Sequence, residues 1–358
     1  ASTLAWLADY RFSGTIHGYR EGEIYFPGSP VLTVEASFAE GVVLETLALS
    51  VFNHDSAVAT AAARMSVAAG TRPLAEMGSR RAGERSAIAA ARAAFIAGFD
   101  ATSNMEAGRQ WGIPTMGTAA HAYTLLHDTE EEAFRSQLAA QGIGTTLLVD
   151  TYDIEQGVET AVRVAGTQLG GVRIDSGDLP VVAAQVRAQL DALGATGTRI
   201  TVTSDLDEHA IAALAASPVD AYGVGTSVVT GSGSPTAGMV YKLVAREDSE
   251  GGWVSVAKAS ADKASKGGRK AAFRRLRGGV ASAEIIAIAD HLALPEASTE
   301  RRNERPLQVA LVRGGVIDEQ YEGAAGVESA REHHRNARAE LPARAFGLSR
   351  SDPALPTV

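Results

Sequence analysis

The chain has 358 residues, of which 45% are hydrophobic and 21% charged, and its formal net charge is −9. This composition is typical of a folded protein with one large or two smaller domains, and its acidic balance argues against binding to bulk nucleic acid or an anionic membrane. The absence of cysteine excludes disulfides, thiolate metal sites and cysteine nucleophiles, and it is consistent with a cytoplasmic protein. We recognise no signal peptide and no apolar run of the ~20 residues that a membrane span needs.

The first 70 residues divide into a β-rich part and a helical part. Residues 1–35 are predicted to be β-rich, because they alternate apolar and polar residues between turns at Gly22 and Pro27. From Phe38 to about Ala69 the apolar residues recur at helical spacing, which predicts one long helix.

Between Gly70 and Gly231, short apolar runs alternate with Ala-rich helical stretches. This alternation predicts parallel strands with helices outside, and seven such units favour a closed or nearly closed barrel. In such barrels the chemistry lies on the loops that follow the strands. The predicted strands are 74–77, 97–101, 113–116, 146–149, 171–174, 200–203 and 221–224, and the predicted helices are 86–95, 130–140, 154–169, 180–193 and 208–216.

After Gly231 the alternation stops. A strand pair is predicted around a turn at Asp248–Gly252, and a basic segment follows over Lys258–Arg277. That segment is interpreted as a solvated basic face, an anion-binding flap or a nucleic-acid patch, the last being disfavoured because Phe273 is its single aromatic residue. The remaining residues are charged and are predicted to be helical, ending in a loose tail, SDPALPTV.

Two of the loops after strands carry residues suited to anionic ligands. Gly223–Ser227 combines glycines with hydroxyls and can receive a phosphate, or it is only a structural turn. It matches neither GxGxxG nor GxxxxGK[ST], so dinucleotide-binding and Walker-type sites are disfavoured. Arg173 and Asp175 share one face of a strand end, where they form either a binding pair for a carboxylate or phosphate or a structural ion pair.

Other loops leave their roles more open. Of Arg80 and Arg81, one is expected to face the site, unless both are surface charges. Asp207 and Glu208 fit the cap and first turn of the next helix, whereas Asp205 lies closer to the strand end and is the better site candidate.

The run Gly117–His121 places a histidine in the first turn of a predicted helix. A neutral imidazole beside an anion cradle can act as a base or as a nucleophile toward a phosphoryl group. The pairs His54-Asp55 and His127-Asp128 suggest a metal phosphohydrolase instead, but each pair lies on or next to a predicted helix and no HExxH pattern occurs.

Taken in order, these loops resemble those of bacterial nicotinate phosphoribosyltransferases, most closely the actinobacterial type. The resemblance extends from about Trp6 to the C-terminus. It implies an α/β fold in which an irregular TIM-like barrel of the type II phosphoribosyltransferase kind is joined to a β-rich α/β-sandwich domain. The markers are EMGSRR (76–81), MGTAAHAY (116–123), GVRIDSGDL (171–179), TSDLDE (203–208), GVGTSVVTG (223–231) and KAS…K…GGRK (258–270).

The resemblance implies that nicotinate and phosphoribosyl pyrophosphate are converted to nicotinate mononucleotide and diphosphate, as in NAD biosynthesis or salvage. The reaction would be coupled to ATP hydrolysis through a phosphohistidine, with Mg²⁺ arriving on substrate phosphates and no tightly bound organic cofactor. It also implies a cytoplasmic homodimer with shared active sites that binds neither nucleic acid nor membrane.

The resemblance assigns roles to individual residues. His121 would be the phosphoryl acceptor, and Asp175 and Asp205 would stabilise the cation-like sugar carbon and hold the ribose. Arg173, Thr118 and Ser103 would bind nicotinate, since related nicotinamide enzymes have an aspartate where Ser103 stands. Arg80, Gly225, Thr226, Lys258 and Lys263 would bind the phosphates of phosphoribosyl pyrophosphate and ATP; no residue is assigned to a metal.

The implied domains are residues 1–37, part of the sandwich domain; 38–230, the barrel; 231–280, a return to the sandwich domain with a basic flap; and 281–358, a helical region and tail. Family members carry a further N-terminal segment with an Asp-x-Tyr-x-x-Thr-Met-type motif, and no such motif is found here. Two alternatives therefore stay open: a nicotinamide phosphoribosyltransferase, and a catalytically silent, truncated binding module.

Overall fold

The computed structural model describes residues 2–258, 266–288, 303–349 and 351–358. The chain divides into two compact units. One, here called the barrel unit, is His54–Thr236; the other, the β-rich unit, combines Ala1–Asn53 with Ala237–Val358. The domain boundaries predicted from the sequence, at residues 37/38 and 230/231, stay predictions.

The barrel unit contains a parallel six-stranded sheet. Its strands are β3 (Leu74–Glu76), β4 (Ala101–Thr102), β5 (Thr146–Leu148), β6 (Gly171–Ile174), β7 (Arg199–Val202) and β8 (Ala221–Val224). The order across the sheet is β4-β3-β8-β7-β6-β5, so the first strand pairs with the last. This cyclic order, open between β4 and β5, is that of an incompletely closed barrel and confirms the predicted fold class.

Helices lie between these strands as predicted. Helix α2 (Phe38–Ala69) matches the predicted long helix and enters the barrel unit in its second half. The others are α3 (Glu84–Ile96), α4 (Met105–Trp111), α5 (His121–Leu125), α6 (Glu130–Gln141), α7 (Ile154–Ala165), α8 (Leu179–Ala192), α9 (Glu208–Ala213) and α10 (Thr226–Val229).

The sequence of α7 explains its bounds and its packing. Asp153 caps the N-terminus by accepting the Gln156 N–H at 2.9 Å, and Gly166, with φ of 77°, ends the helix. Val158 and Val162, four residues apart, are buried in the core under the sheet. The predicted end at residue 169 was too late because Gly166 terminates the helix.

Two predicted strands are wrong in extent. Residues 113–116 form only an isolated β-bridge, between Thr102 and Thr115. Pro114 has no N–H to donate, so it takes part only through its carbonyl, which accepts the Thr102 N–H at 3.0 Å. The strand predicted over residues 97–101 is shortened to β4, because Ala97 caps α3 and Gly98 adopts φ of 119°.

The β-rich unit contains two antiparallel sheets and a separate hairpin. One sheet has the order β15-β14-β1-β2, formed by β1 (Thr15–Tyr19), β2 (Leu32–Glu35), β14 (Gln308–Arg313) and β15 (Val316–Ile317). The other has the order β12-β11-β13, formed by β11 (Lys270–Arg277), β12 (Val280–Ile288) and β13 (Glu304–Pro306). The predicted hairpin is formed by β9 (Ala245–Glu247) and β10 (Trp253–Ser255).

The N- and C-terminal parts of this unit differ from prediction. Helix α1 (Ser2–Ala8) precedes the β-rich residues. In the C-terminal part that was predicted to be helical, β13, β14, β15 and nearly all of β12 are strands, whereas α11 (Gly323–Ala339) is helical as expected. The predicted loose tail is wrong: Val358 N donates to the Glu284 carbonyl at 2.8 Å, and Leu355 is fully buried. The tail therefore extends the sheet along β12.

A buried ion network fixes the β-rich unit. Glu23, almost fully buried, accepts Arg305 Nη1 at 2.7 Å and lies 2.9 Å from His333 Nε2. Burial alone would raise the pKa of Glu23, but the hydrogen bonds from His333 and Arg305 outweigh it and hold that pKa at about 2. The network thus ties β13 and α11 to the turn after β1.

Candidate active site

Polar side chains converge at the carboxyl ends of β5, β6 and β7. Asp150 follows β5, Asp175 follows β6, and Thr203 follows β7. Because neighbouring parallel strands end at the same edge of the sheet, these residues lie side by side. His121, at the start of α5, faces the same edge.

The guanidinium of Arg173 on β6 is held on three sides. Its Nε donates to Thr203 Oγ1 at 2.8 Å, its Nη1 donates to Thr118 Oγ1 at 2.7 Å, and its Nη2 lies 3.1 Å from Asp175 Oδ1. The side chain is 14% exposed. Among the described residues these contacts use three of its five N–H groups, so two are left to bind a planar anion such as a carboxylate.

Asp175 is the acidic partner in this arrangement. The Thr203 hydroxyl donates to it while accepting from Arg173, which closes a triangle of hydrogen bonds. Burial pushes the pKa of Asp175 upward, but the Thr203 hydrogen bond and the Arg173 charge outweigh burial and hold that pKa below its ordinary value. Asp175 is therefore kept as a carboxylate able to stabilise a developing positive charge.

His121 is held beside two carboxylates. Its Nε2 lies 3.9 Å from Asp150 Oδ1 and 3.8 Å from Asp175 Oδ2, and its Nδ1 lies 3.2 Å from the Thr151 hydroxyl. The imidazole is 42% exposed, so a ligand can reach it. A partly open imidazole backed by carboxylates can accept a proton or a phosphoryl group, because the carboxylates balance the positive charge that the ring then acquires.

Asp150 is the buried support of this arrangement. Its Oδ2 accepts the Asp175 N–H at 2.7 Å and the Ser176 hydroxyl at 2.8 Å, which fixes the loop after β6. Its side chain is 0% exposed, and within the described ranges Oδ1 has no hydrogen-bond partner. Oδ1, the Asp150 oxygen that faces His121, is thus the one without a hydrogen bond among the described residues.

A second buried carboxylate, Glu76, organises the loop after β3. It accepts the Gly78 N–H and, at 2.5 Å, the Thr102 hydroxyl. Burial raises the pKa of Glu76, and these two hydrogen bonds offset only part of that effect. Asn104, two residues after β4, also donates to the Ser79 hydroxyl at 2.9 Å, so the loop after β4 is joined to the turn that carries Arg80.

The loops after β3 and β8 approach closely at a glycine. A Cβ built on Gly78 would lie 2.3 Å from Val229 Cγ1 and 2.9 Å from the Gly225 carbonyl. No side chain fits there, which explains the glycine in EMGSRR. Gly78 thereby brings the arginine turn against Gly225 and Thr226, which begin α10.

The loop after β7 carries backbone strain. Ser204, between Thr203 and Asp205, has φ of 124°, a conformation that non-glycine residues rarely adopt and that costs about 1–3 kcal/mol. Such strain persists where the surrounding structure imposes it, often at functional sites. It turns the chain so that Thr203 points to Arg173 while Asp205 is exposed.

The structure brings several predicted site residues into direct contact. Arg173, Asp175, Thr118 and His121 form one connected group, and Asp207 caps α9 as the alternative interpretation predicted. Lys263 lies outside the described residues. The others lie on strand-end loops of the barrel unit (Arg80, Ser103, Asp205, Gly225, Thr226) or after β10 in the β-rich unit (Lys258).

Three members of this group received no role from the sequence: Asp150, Thr151 and Thr203. All three follow or end predicted strands, so their position at the strand ends was available as a signal. Their contact partners could not be predicted from the sequence, because each contact joins residues 25 or more positions apart.

Two general observations bear on ligands. Within the part of the chain that the structure describes, no group of three or more His, Cys, Asp or Glu could hold a metal ion. None of the described helices is long and apolar enough to cross a membrane.

No model of a known protein family matches the chain. Individual relatives do. The chain is 54% identical to "Nicotinate phosphoribosyltransferase pncB1" of Mycobacterium tuberculosis (strain CDC 1551 / Oshkosh) over an alignment 365 positions long, covering 99% of this chain and 78% of that protein. It is 40% identical to the "Nicotinate phosphoribosyltransferase" of Bacillus subtilis (strain 168), covering 72% of this chain and 54% of that protein.

A solved structure shares the fold. The crystal structure of human nicotinic acid phosphoribosyltransferase superposes with a TM-score of 0.76 at 25% sequence identity. The superposition covers 96% of this chain and 79% of the human chain. Both units therefore have counterparts in a single known architecture.

Proposed function

The chain belongs to the nicotinate phosphoribosyltransferase family, and from this we propose that it joins nicotinate to the phosphoribosyl group of phosphoribosyl pyrophosphate. The products are nicotinate mononucleotide and diphosphate, which places the enzyme in NAD biosynthesis or salvage. The observation that carries the proposal is the restrained guanidinium of Arg173, directed by Thr118, Thr203 and Asp175 beside His121.

Arg173 anchors the carboxylate of nicotinate. Three of its N–H groups are committed within the described residues, so its orientation is fixed before the ligand arrives, and the other two remain available. Ser103, on the adjoining loop after β4, supplies a hydroxyl where an aspartate would favour an amide. These features support the acid over nicotinamide as the substrate.

The carboxylates act on the ribose. Breaking the bond between ribose and pyrophosphate leaves the sugar carbon cation-like, and carboxylates near that carbon lower the barrier. Asp175, whose pKa is held below its ordinary value, and the exposed Asp205 take this role and hold the ribose hydroxyls. Gly225 and Thr226 receive the 5′-phosphate at the start of α10, and Arg80, Lys258 and Lys263 bind the remaining phosphates.

His121 couples the reaction to ATP. Its nitrogen attacks the γ-phosphorus, the bond from that phosphorus to the β,γ-bridging oxygen breaks, and ADP leaves with the electron pair. Asp150 and Asp175, both within 4 Å of Nε2, balance the positive charge on the phosphorylated ring. Hydrolysis of the phosphohistidine after turnover completes the coupling.

Among the described residues, no group of three or more His, Cys, Asp or Glu could hold Mg²⁺ as a protein-bound ion. Mg²⁺ would arrive on the substrate phosphates, held mainly by their oxygens and by water, as it often is. No residue is assigned as its ligand. A homodimer with shared sites and a cytoplasmic location are further parts of the proposal and rest on the resemblance in sequence.

Product analysis tests the proposal. The 358-residue protein is incubated with phosphoribosyl pyrophosphate, Mg²⁺ and either nicotinate or nicotinamide, with and without ATP, and products are identified by mass spectrometry. Nicotinate mononucleotide should form and should increase with ATP. Product from nicotinamide alone would replace the proposal with the amide-specific enzyme, and binding of phosphoribosyl pyrophosphate without product would identify a silent binding module.

A further inference from the structure

Arg173 and Asp175 carry opposite charges but make only one direct contact. Arg173 Nη2 lies 3.1 Å from Asp175 Oδ1. The neighbouring Nε, which could complete a two-point contact with the same carboxylate, donates instead to the Thr203 hydroxyl at 2.8 Å. Arginine and carboxylate groups frequently pair through two parallel hydrogen bonds, so the single contact requires an explanation.

The Thr203 hydroxyl stands where a second carboxylate oxygen would otherwise bind. It accepts the Arg173 Nε–H and donates its own hydrogen to Asp175 Oδ1. A hydroxyl has one hydrogen to donate and two lone pairs, so both bonds are satisfied together. Asp175 is therefore joined directly to one guanidinium nitrogen only, and its Oδ2 lies 3.8 Å from His121 Nε2.

The orientation of the Thr203 side chain is set by its packing. The residue is 3% exposed, and its N–H donates to the Ile174 carbonyl at 2.9 Å. Its methyl group lies against β8, since a Cβ built on Gly223 would be 2.7 Å from Thr203 Cγ2. Because a β-branched side chain is stiff at χ1, a fixed methyl group also fixes the hydroxyl. The hydroxyl is thus directed at Arg173 and Asp175 before any ligand binds.

We propose that Thr203 is a positioning residue that keeps the Arg173–Asp175 pair open, so that the guanidinium binds the nicotinate carboxylate while the Asp175 carboxylate serves the ribose. This inference rests on the proposed function for the roles of the two groups. Among the described residues, one N–H on each terminal nitrogen of Arg173 remains for the substrate. Without the Thr203 hydroxyl, Asp175 takes both Nε and Nη2, and the two groups form a structural ion pair that neutralises both.

Three variants separate the hydroxyl from the packing. Thr203→Val keeps the branched shape and removes the hydroxyl, whereas Thr203→Ser keeps the hydroxyl. Thr198→Val is the matched control, because Thr198 is also buried in the barrel unit and its hydroxyl donates to the Leu169 carbonyl at 2.9 Å. It loses a buried hydroxyl of the same kind, but one that joins no charged groups.

Steady-state kinetics of the 358-residue protein with nicotinate, phosphoribosyl pyrophosphate, ATP and Mg²⁺ provides the first test. Thr203→Val should raise KM for nicotinate about tenfold and lower kcat about tenfold, since a hydrogen bond to the charged substrate and the free carboxylate are both lost. Thr203→Ser should recover most of both losses, and Thr198→Val should resemble wild type. Equal kinetics for Thr203→Val and Thr198→Val would overturn the inference, as would a loss in Thr203→Ser as large as in Thr203→Val.

A second measurement does not depend on turnover. Crystal structures of wild type and Thr203→Val are compared without ligand. In the variant, the Asp175 carboxylate should contact both Nε and Nη2 of Arg173, and in wild type only Nη2. A variant in which Nε stays apart from the carboxylate would overturn the inference. Absence of nicotinate mononucleotide with wild type would overturn the proposed function instead, while the variant structure would still decide whether Thr203 holds the pair open.

Discussion

Replacing Arg173 by lysine should weaken nicotinate selectively. Lysine keeps the positive charge but lacks the planar fork, so it cannot reproduce the three contacts to Thr203, Thr118 and Asp175 or still bind a carboxylate in two places. A hydrogen bond to a charged group contributes about 1.5–3 kcal/mol. Arg173→Lys loses at least one such bond to the substrate, and it also loses part of the fixed orientation of the side chain. A total of about 3 kcal/mol corresponds to a decrease in kcat/KM for nicotinate of roughly 100-fold.

The assay is steady-state kinetics with nicotinate and phosphoribosyl pyrophosphate varied separately. The loss should appear mainly in kcat/KM for nicotinate, with KM for phosphoribosyl pyrophosphate less affected. Arg163→Lys is the matched control, because Arg163 is exposed and pairs with Glu131 on the surface, where such pairs contribute about 0–1 kcal/mol. An Arg173→Lys enzyme within threefold of wild type for nicotinate would refute the assignment of Arg173 as the anchor.

Three further predictions concern ATP coupling, packing and acid stability. His121→Asn should still form product but lose stimulation by ATP, and a preserved ratio of rates with and without ATP would remove its assigned role. Gly78→Ala should lower the free energy of unfolding by about 2 kcal/mol, because the new Cβ would lie 2.3 Å from Val229 Cγ1. Gly83→Ala is the control, since its Cβ would meet no atom within 4 Å. Equal urea midpoints for the two variants would contradict the prediction. Glu23→Gln should lower the free energy of unfolding by about 3 kcal/mol at pH 7. Because the folded-state pKa is depressed to about 2, that difference should be full above about pH 5 and vanish as the pH falls toward 2, as urea denaturation at several pH values can check.

Much of the barrel unit could be predicted because its signals are local. Helix α2 has the predicted bounds, Phe38–Ala69, and β6 has the predicted bounds, Gly171–Ile174. Apolar periodicity acts within a few residues, so it is visible in the sequence. The end of α7 at Gly166 is an equally local signal, although the prediction placed that end too late. The errors occur where local signals conflict with distant pairing, as in Glu304–Ile317, whose charged sequence appears helical but pairs as strands with β1 and β11.

The sequence by itself determined the fold class, the family and the set of loops at the strand ends, because hydrophobic spacing and short motifs are properties of neighbouring residues. Only the tertiary structure decided which of those residues act together. Arg173 meets Thr118 across 55 positions and Thr203 across 30, and Asp150 holds the loop of Asp175 from 25 positions away. Asp150 Oδ1, which has no hydrogen-bond partner among the described residues, is likewise a product of burial, and burial depends on how the whole barrel unit packs and not on any pattern along the chain.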